Sequence, residues 1–226
     1  DKLLVEGEQF HLWVIEAPDK VKEQFPADIA GLNVIFTDNQ APYRSRKVRI
    51  LNGAHTTMVP IGLLYGVNTV KEVMDDAFLL RFIKDTIDKE IIPTLSLDKG
   101  ELAIFAADVL DRFRNPYIKH LLLSISLNSH SKYNTRIFPT VYQYLQQEGT
   151  LPKRLVLALA ALIQLFRDKE GKFTNDLKDN PDVLALYNSF NTDTSLEQIV
   201  TKVFALVSIW GESLNKTDGL KALTIN

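Results

Sequence analysis

The spacing of apolar residues from Arg44 to the end of the chain is the feature that most constrains the fold. Over this long stretch they recur every three or four positions, which is the period of amphipathic α-helices packed around a core. Glycine, proline and Asn or Asp clusters interrupt the pattern where helices would begin and end. The sequence therefore predicts a mainly α fold, with helices near residues 44–65, 69–92, 99–113, 116–127, 132–148, 152–167, 181–190 and 194–213.

The residues before Arg44 have a different pattern. The segments Phe10–Ile15 and Asn33–Thr37 are rich in β-branched and aromatic residues, and polar, proline-containing loops separate them. These two segments predict a few short strands near the N-terminus. Since no period of about 20–50 residues repeats along the chain, a solenoid is not indicated.

Composition narrows the possible functions. The 226-residue chain has no cysteine, which excludes disulfides, thiolate catalysis and cysteine-based metal sites. Its net charge of −2 argues against nucleic-acid binding, which usually shows as a basic excess. The longest apolar run, from Leu155 to Ile163, is far shorter than the roughly twenty residues that cross a bilayer. We therefore expect a cytoplasmic globular protein with no nucleic-acid or membrane partner.

Two nucleotide-binding signatures are absent from the sequence. Neither Gly-x-Gly-x-x-Gly nor Gly-x-x-x-x-Gly-Lys occurs, so the sequence offers no evident loop for the phosphates of a nucleotide. The chain begins Asp1-Lys2-Leu3-Leu4, without an initiator methionine or a signal-peptide pattern. We therefore expect it to be cut from a longer polypeptide, whose other part would hold any nucleotide cofactor.

The segment Tyr43–Thr56 carries the residues best suited to chemistry. On a helix, Lys47, Leu51 and His55 recur every fourth position, and Asn52 lies one turn before His55. A lysine shielded from water can exchange a proton with an alcohol near neutral pH, which makes it a general acid–base group. An asparagine amide can donate to an oxygen that gains negative charge, and a histidine can orient the same hydroxyl. None of these steps requires a metal.

The pattern alone also fits a structural role. The basic residues from Arg44 to Arg49 are the kind that most often form an exposed helix face, and a single histidine among apolar neighbours is more often packed in a core than catalytic. A non-catalytic helical module for oligomerisation or partner binding is therefore the alternative of another class. Burial of Lys47 and Asn52 in a common cleft would favour an enzyme, whereas positions on opposite faces would favour the module.

A family resemblance favours the enzyme. Lys47-x-x-x-x-Asn52-x-x-His55 resembles the catalytic signature of the polyol-specific long-chain dehydrogenases, the group of mannitol dehydrogenases, fructuronate reductases and tagaturonate reductases. The resemblance covers nearly the whole chain and is strongest to the tagaturonate reductase branch, through the strings Phe10–Glu16, Arg46–Thr56, Leu64–Val70, Met74–Asp76 and Arg112–Lys132. It implies a multi-helix C-terminal domain of the mannitol dehydrogenase type, similar to the C-terminal domain of 6-phosphogluconate dehydrogenase.

The same resemblance implies an activity and residue roles. The implied reaction is the NAD-dependent interconversion of D-tagaturonate and D-altronate, with fructuronate or a polyol such as mannitol as alternative substrates. Lys47 would be the general acid–base group, Asn52 would stabilise the oxyanion, and His55 would position the substrate.

The resemblance also implies a division of the longer polypeptide. The NAD would be held mainly by an N-terminal Rossmann domain that precedes Phe10 and lies outside this chain. Residues 1–43 would be the end of that nucleotide-domain region or a linker with short strands, and residues 44–226 would be the helical substrate-binding and catalytic domain. Which residues of this chain contact the cofactor is left open.

A small-molecule sugar acid would also require cations for its carboxylate. Arg44, Arg49 and Lys132 are the nearby options, although a lysine in a polar turn is more commonly a surface residue. The resemblance places Asn115, in the turn before Pro116, near the substrate. Asparagine before proline is equally an ordinary start of a helix.

The other histidines suggest no metal site. His11 lies in a predicted strand and His120 is expected to pack or cap, while His130 falls in a polar turn. No two histidines have credible metal-ligand spacing together with a carboxylate. We therefore expect no metal cofactor.

Overall fold

The computed structural model describes residues 2–4, 10–167 and 176–226. The chain divides into two compact units, Asp1–Ser45 and Arg46–Asn226. Helices dominate the described residues, and the two strands lie near the N-terminus. The prediction of a mainly α fold with a few short N-terminal strands is therefore confirmed.

The first unit contains a small parallel sheet. Strand β1 (Trp13–Glu16) pairs over its full length with β2 (Val34–Thr37), and helix α1 (Asp19–Gln24) lies between them in the sequence. A parallel pair needs such a crossing connection, because the chain must return to the end at which the first strand began. His11 precedes β1, and its Nε2 accepts a hydrogen bond from the backbone N–H of Asn33 at 3.0 Å. His11 therefore helps to join the segments that lead into β1 and β2.

The second unit is built from helices, after α2 (Ala41–Arg46) crosses the boundary between the units. They are α3 (Gly53–Tyr65), α4 (Val70–Asp75), α5 (Ala77–Thr86), α6 (Lys99–Phe113), α7 (Leu122–Ile125), α8 (Ser129–Arg136), α9 (Phe138–Glu148), α10 (Lys153–Phe166), α11 (Pro181–Asn188), α12 (Leu196–Phe204), α13 (Val207–Trp210) and α14 (Leu220–Ile225). Two π-helical turns, Lys47–Asn52 and Ile87–Ile91, and two 3₁₀ turns, Ile92–Thr94 and Leu214–Lys216, complete the helical segments.

Helix α3 occupies the centre of the second unit. Its Met58 and Leu63 are almost completely buried, and α10 packs against it with Leu155 and Leu159, which are fully buried. Burial of this kind contributes about 1.5–3 kcal/mol for each large aliphatic side chain. The helix that carries His55 is therefore held rigidly by the core. No helix in the described ranges is long and apolar enough to span a bilayer.

Side-chain caps explain where several helices begin. Thr69 and Glu72 form a reciprocal capping box at the start of α4, and Ser195 and Gln198 do the same for α12. Three further helices, α5, α6 and α11, begin at side chains that accept from their first free N–H groups, namely Asp76, Asp98 and Asn180.

The prediction of one continuous helix over residues 116–127 is wrong. Only α7 is helical there, because the residues before it pair with the connection between α3 and α4 instead. The N–H of Val70 donates to the carbonyl of His120 at 3.0 Å, and the N–H of Leu122 donates to the carbonyl of Asn68 at 2.9 Å. Backbone groups satisfied by another segment do not need a helix.

Other predicted helices are interrupted. Residues 69–92 break at Asp76, whose carboxylate caps a new helix, and residues 132–148 break at Ile137, shortly before Pro139. The last predicted helix is divided into α12 and α13, and α14 was not predicted. Helix type was thus predicted better than helix boundaries.

A buried hydrogen-bonded network joins the first turn of α8 to the residues around α11. Nδ1 of the fully buried His130 lies 2.9 Å from Oδ2 of Asp179, and the backbone N–H of His130 donates to the same oxygen at 3.1 Å. Nε2 of His130 lies 3.2 Å from the hydroxyl of Tyr187. Burial raises the pKa of Asp179, but its hydrogen bonds with His130 outweigh burial and lower the pKa overall. His130 therefore joins α8 to α11 and to Asp179 before it through hydrogen bonds.

Candidate active site

The predicted catalytic residues lie on one continuous helical stretch. Helix α2 is followed by a π-helical turn over Lys47–Asn52, and α3 begins at Gly53. The backbone N–H of Gly53 donates to the carbonyl of Val48, which is the five-residue hydrogen bond of a π turn. The turn thus begins at the predicted acid–base residue and ends at the predicted oxyanion residue, and His55 follows in the first turn of α3.

The π turn changes which side chains share a face. Lys47 and Asn52 are five residues apart, so on an α-helix they would point to different sides. The wider π turn brings residues at this spacing to the same side. The sequence predicted an α-helix over these residues, and for this turn that prediction is wrong. Because π turns are rare and concentrate at functional sites, the deviation itself marks the segment.

Arginines within and beside the π turn attach it to the core. Arg46 is buried, pairs through Nη1 with Glu101, and has its guanidinium 4.4 Å from the centre of the Phe105 ring. Arg49 donates from Nη1 to Oε1 of Gln143 at 2.6 Å. These contacts fix the turn to α6 and α9, and so determine where the side chains between the two arginines project.

Lys47 and Asn52 keep their polar groups free of other protein groups. Lys47 is exposed and Asn52 is partly buried, so this chain by itself does not show the common burial of both side chains that was expected to favour an enzyme. Within the residues that the structure describes, neither side chain forms a hydrogen bond or an ion pair. Only the backbone carbonyl of Asn52 is engaged, and it accepts from the hydroxyl of Thr56 at 2.8 Å. The ammonium and the amide are therefore both available to a ligand.

His55 has an aromatic setting. Its ring stacks on Phe113 with a centroid distance of 4.3 Å, and the ring of His120 meets it edge-on at 5.1 Å. Nε2 of His55 is buried and has no hydrogen-bond partner in the described part of the chain. A buried polar atom without a partner is costly in free energy, so a ligand that bonds to it would relieve this cost.

Positive groups gather around His55. Burial lowers its pKa most, and the neighbouring cationic groups lower it further, to about 3. They include Arg136, Arg112 and Lys47. No carboxylate of the described residues raises the pKa of His55 against them. The imidazole is therefore neutral near pH 7, and the region around it suits an anionic ligand.

Two of the predicted carboxylate-binding arginines have different surroundings. Arg44 is exposed in the first unit. Arg49 is partly buried, burial lowers its pKa, and its Nη1 is engaged with Gln143. The structure thus gives Arg49 a clear structural contact, and the substrate-binding role of both arginines stays a prediction.

Asn115 and Lys132 are each engaged with backbone. Oδ1 of Asn115 accepts from the N–H of Tyr117 at 2.9 Å, so the side chain shapes a turn and does not cap a helix. Nζ of Lys132 donates to the carbonyl of Ile125 at 2.8 Å. Burial lowers the pKa of Lys132, and the charge of Arg136 lowers it further while Asp179 acts in the opposite direction. Their roles toward a substrate stay predictions.

A comparison with known families decides the classification. Residues 39–224, most of the chain, match the mannitol dehydrogenase C-terminal domain. The chain belongs to this family.

Similar proteins with curated names agree with this assignment to the mannitol dehydrogenase C-terminal domain family. The altronate oxidoreductase of Phocaeicola vulgatus is 43% identical over 224 residues, which cover 98% of this chain and 47% of the relative. The altronate oxidoreductase of Bacillus subtilis is 44% identical over 218 residues, with 96% and 44% covered. The chain spans about half the length of the curated relatives that it matches.

Two solved structures share the fold. Mannitol 2-dehydrogenase from Pseudomonas fluorescens, in a ternary complex with NAD and D-mannitol, superposes with a TM-score of 0.70 at 24% identity, covering 87% of this chain and 39% of that one. A D-sorbitol dehydrogenase in substrate-free form superposes with a TM-score of 0.71 at 21% identity, covering 88% and 40%. At these identities the likeness concerns the fold alone.

Arg112 and Arg136 are two members of the positive group that were not predicted from the sequence. Arg112 stands in the same short string as Asn115, and the choice of Asn115 within that string rested on resemblance and not on chemistry. Arg136 carries no local signal, because it reaches the neighbourhood of His55 from α8, and its hydrogen bond to Thr56 spans 80 residues of sequence.

Proposed function

We propose that this chain is the substrate-binding and catalytic part of an NAD-dependent oxidoreductase that interconverts D-tagaturonate and D-altronate. The observation that carries the proposal is the set of unused polar groups on one helical stretch. The ammonium of Lys47, the amide of Asn52 and Nε2 of His55 all lack protein partners among the described residues, and positive groups lie around His55. The names of the relatives, altronate oxidoreductases, support this substrate pair.

The protonation state of His55 divides the roles between the residues. With a pKa of about 3, His55 has no proton to exchange near pH 7, so it acts as a neutral hydrogen-bonding group. Lys47 is then the group that donates a proton to the carbonyl oxygen during reduction and accepts it from the hydroxyl during oxidation. A proton transfer by Lys47 does not require a metal ion.

Asn52 and His55 act on the same oxygen and its neighbours. The Asn52 amide donates to the substrate oxygen as negative charge develops there, which stabilises the transition state more than the ground state. The buried Nε2 of His55 bonds to a substrate hydroxyl and fixes its orientation. The stacked Phe113 holds the imidazole in place while it does so.

The cofactor of the proposed reaction is NAD, which supplies or accepts the hydride. The described residues provide no evident place for its phosphates, since the sheet has only two strands and the sequence has no Gly-rich phosphate loop. We therefore assign NAD binding mainly to a Rossmann domain of the same polypeptide outside this chain. Residues 1–43 would be the end of that region, and residues 44–226 would be the catalytic domain.

The substrate is a sugar acid in this proposal, and the reaction would belong to cytoplasmic hexuronate breakdown. The positive group around His55 favours a carboxylate-bearing substrate over a neutral polyol such as mannitol. Fructuronate differs from tagaturonate only in stereochemistry, so it is the closest alternative substrate. A non-catalytic module is disfavoured because the relatives are named altronate oxidoreductases and because the buried Nε2 of His55 has no partner among the described residues.

The test is an NADH absorbance assay on a polypeptide that carries this chain together with its nucleotide-binding domain. Lys47→Ala should lower kcat/KM for tagaturonate by about 10²–10⁴-fold, the usual contribution of one general acid–base group. Lys84→Ala, at an exposed lysine paired with Asp88, is the matched control and should leave kcat/KM unchanged. The 226-residue chain alone should fold but not catalyse.

Each outcome of this assay bears on a separate part of the proposal. Full activity of Lys47→Ala would show that Lys47 is not the general acid–base group. Faster reduction of fructose than of tagaturonate would contradict the substrate assignment but not the reaction class. Faster reduction of fructuronate would identify that sugar acid as the substrate.

A further inference from the structure

Arg136 lies at the C-terminal end of α8, beside the helical stretch that carries the candidate site. Its Nη1 donates to Oγ1 of Thr56 at 3.3 Å, and Thr56 immediately follows His55. Its charge lowers the pKa of His55 and also that of Lys132. Arg136 is therefore close to His55, which belongs to α3, and to Lys132, which lies one turn earlier in α8.

This arginine is partly buried, and burial lowers its pKa. Its hydrogen bond to the Thr56 hydroxyl is long, and the acceptor carries no charge. This bond uses one of the five N–H donors of the guanidinium. No carboxylate in the described residues pairs with it. A partly buried cation without an anionic partner carries a desolvation cost that an anion would offset.

Two other arginines of the second unit, the buried Arg46 and the partly buried Arg154, show a contrast that Arg49, with its neutral partner Gln143, does not share. Arg46 pairs with Glu101, and Arg154 pairs with Glu90 and Asp85. In both cases the protein supplies the carboxylate that compensates the buried cation. At Arg136 the protein supplies only a hydroxyl, and the remaining donors have no partner among the described residues.

Thr56 links Arg136 to the oxyanion residue. The Thr56 hydroxyl accepts from Arg136 and donates to the backbone carbonyl of Asn52 at 2.8 Å. The guanidinium and the end of the π turn are thus positioned by the same side chain. A ligand with a carbonyl at Asn52 and a carboxylate at Arg136 would be held at two points, with a separation that the protein fixes.

We propose that Arg136 binds the carboxylate of the sugar-acid substrate and gives the enzyme its preference for acids over neutral sugars. This assignment rests on the proposed function and adds to it the residue that determines specificity. It replaces Arg44, Arg49 and Lys132 as the main carboxylate partner, because those side chains are exposed in the first unit or engaged elsewhere. A guanidinium can hold a carboxylate by two parallel hydrogen bonds, which an ammonium cannot.

The experiment compares two substrates that differ in one group, which is charged in one of them and neutral in the other. One is tagaturonate, and the other is the corresponding ketohexose with a hydroxymethyl group in place of the carboxylate. In the polypeptide that includes the nucleotide-binding domain, Arg136→Gln should lower kcat/KM for tagaturonate by about 10–100-fold, mainly through KM, the usual loss of a charge-assisted hydrogen bond. The value for the ketohexose should change less than about 3-fold, and Arg136→Lys should recover part of the loss.

Arg49→Gln is the matched comparison. It removes a partly buried arginine of the same region that has a protein partner, Gln143. Any loss from a general effect on folding should lower kcat/KM for both substrates by the same factor. An unchanged ratio between the two substrates in Arg136→Gln, or the same change of ratio in Arg49→Gln, would overturn the assignment of Arg136.

A binding measurement separates this inference from the proposed reaction. Altronate should raise the melting temperature of the 226-residue chain, its neutral counterpart altritol should have a smaller effect, and Arg136→Gln should abolish the difference. If the enzyme reduces neither substrate, the proposed function fails, while selective stabilisation by altronate would still support a carboxylate site at Arg136. If altronate and altritol act equally on the unsubstituted chain, the carboxylate site is wrong.

Discussion

Adjacent residues at the junction of α2 and the π turn have opposite surroundings. Arg46 is buried against Phe105 and paired with Glu101, whereas the next residue, Lys47, is exposed and unpaired within the described residues. Successive side chains on a helix point in different directions, so a buried residue can lie directly beside an exposed functional group. The buried residue fixes the backbone, and the exposed one remains free for a ligand.

The depressed pKa of His55 makes the stability of the chain depend on pH. Between pH 6.5 and about 3 the unfolded chain binds a proton at this residue and the folded chain does not. Acidification through this window therefore favours unfolding, and the stability lost approaches about 1.4 kcal/mol for each pH unit. Above pH 6.5 the residue is neutral in both states and contributes no pH dependence.

Replacing His55 by glutamine should remove this contribution. We expect the free energy of unfolding of the unsubstituted chain to fall more steeply than that of His55→Gln as the pH is lowered from 7 to 4. Urea unfolding of both proteins across this range measures the difference, and carboxylate titrations cancel because both proteins share them. Parallel curves for the two proteins would show that His55 is not held neutral by the fold.

At the scale of elements, the sequence predicted what depends on local chemistry. The amphipathic spacing indicates α6 and α10 with nearly correct ends, and the caps at Asp98 and Gly149 follow from ordinary capping preferences. The stretch over residues 116–127 also has helical spacing, but its backbone pairs with a segment far away in the sequence. Apolar spacing alone cannot distinguish these two cases, because both bury the same residues.

The candidate site shows the same limit. Lys47, Asn52 and His55 were singled out from a local motif, and they lie on one helical stretch. The π turn was not predicted, since one additional residue in a helical turn hardly disturbs the apolar period on either side. Arg136 was not predicted either, because its approach to Thr56 depends on the packing of α8 against α3.

The packing around α3 gives a prediction about two glycines of this helix. A Cβ at Gly62 would lie 2.8 Å from Cδ1 of Leu122 and 3.1 Å from Cγ2 of Val73, whereas a Cβ at Gly53 would meet nothing closer than 3.6 Å. Gly62→Ala should therefore destabilise the chain by about 1–2 kcal/mol, because overpacking of the buried Leu122 outweighs the helix propensity gained.

Gly53→Ala is the matched control for that substitution. It gains the same helix propensity without the close contact, so it should be neutral or more stable by up to about 1 kcal/mol. Chemical denaturation of the two variants provides the comparison. Equal stabilities would mean that the side chains of α4 and α7 move aside for the new methyl group and that α3 is packed less tightly than the structure indicates.

At the scale of the whole molecule, the core belongs almost entirely to the second unit. Among the described residues, Ala27 is the one buried apolar side chain before Arg46, and the others begin at Ile50. The described residues of the first unit form a two-stranded sheet and short helices. An isolated sheet of two strands is marginally stable in water. A segment as short as Asp1–Ser45 rarely buries enough apolar surface to fold without disulfides, a metal or a partner.

The two units should therefore differ in their ability to fold alone. A fragment covering Arg46–Asn226 should unfold cooperatively in urea, with a midpoint close to that of the 226-residue chain, because it retains the packing of α3 against α10. A peptide covering Asp1–Ser45 should show the circular dichroism of an unfolded chain, because it lacks a core of its own. A fragment Arg46–Asn226 that melts without cooperativity would contradict this expectation and would mean that the first unit is required to complete the core. Folded signals from the peptide would contradict it in the other direction, since a parallel pair of strands would then be stable with almost no buried apolar surface.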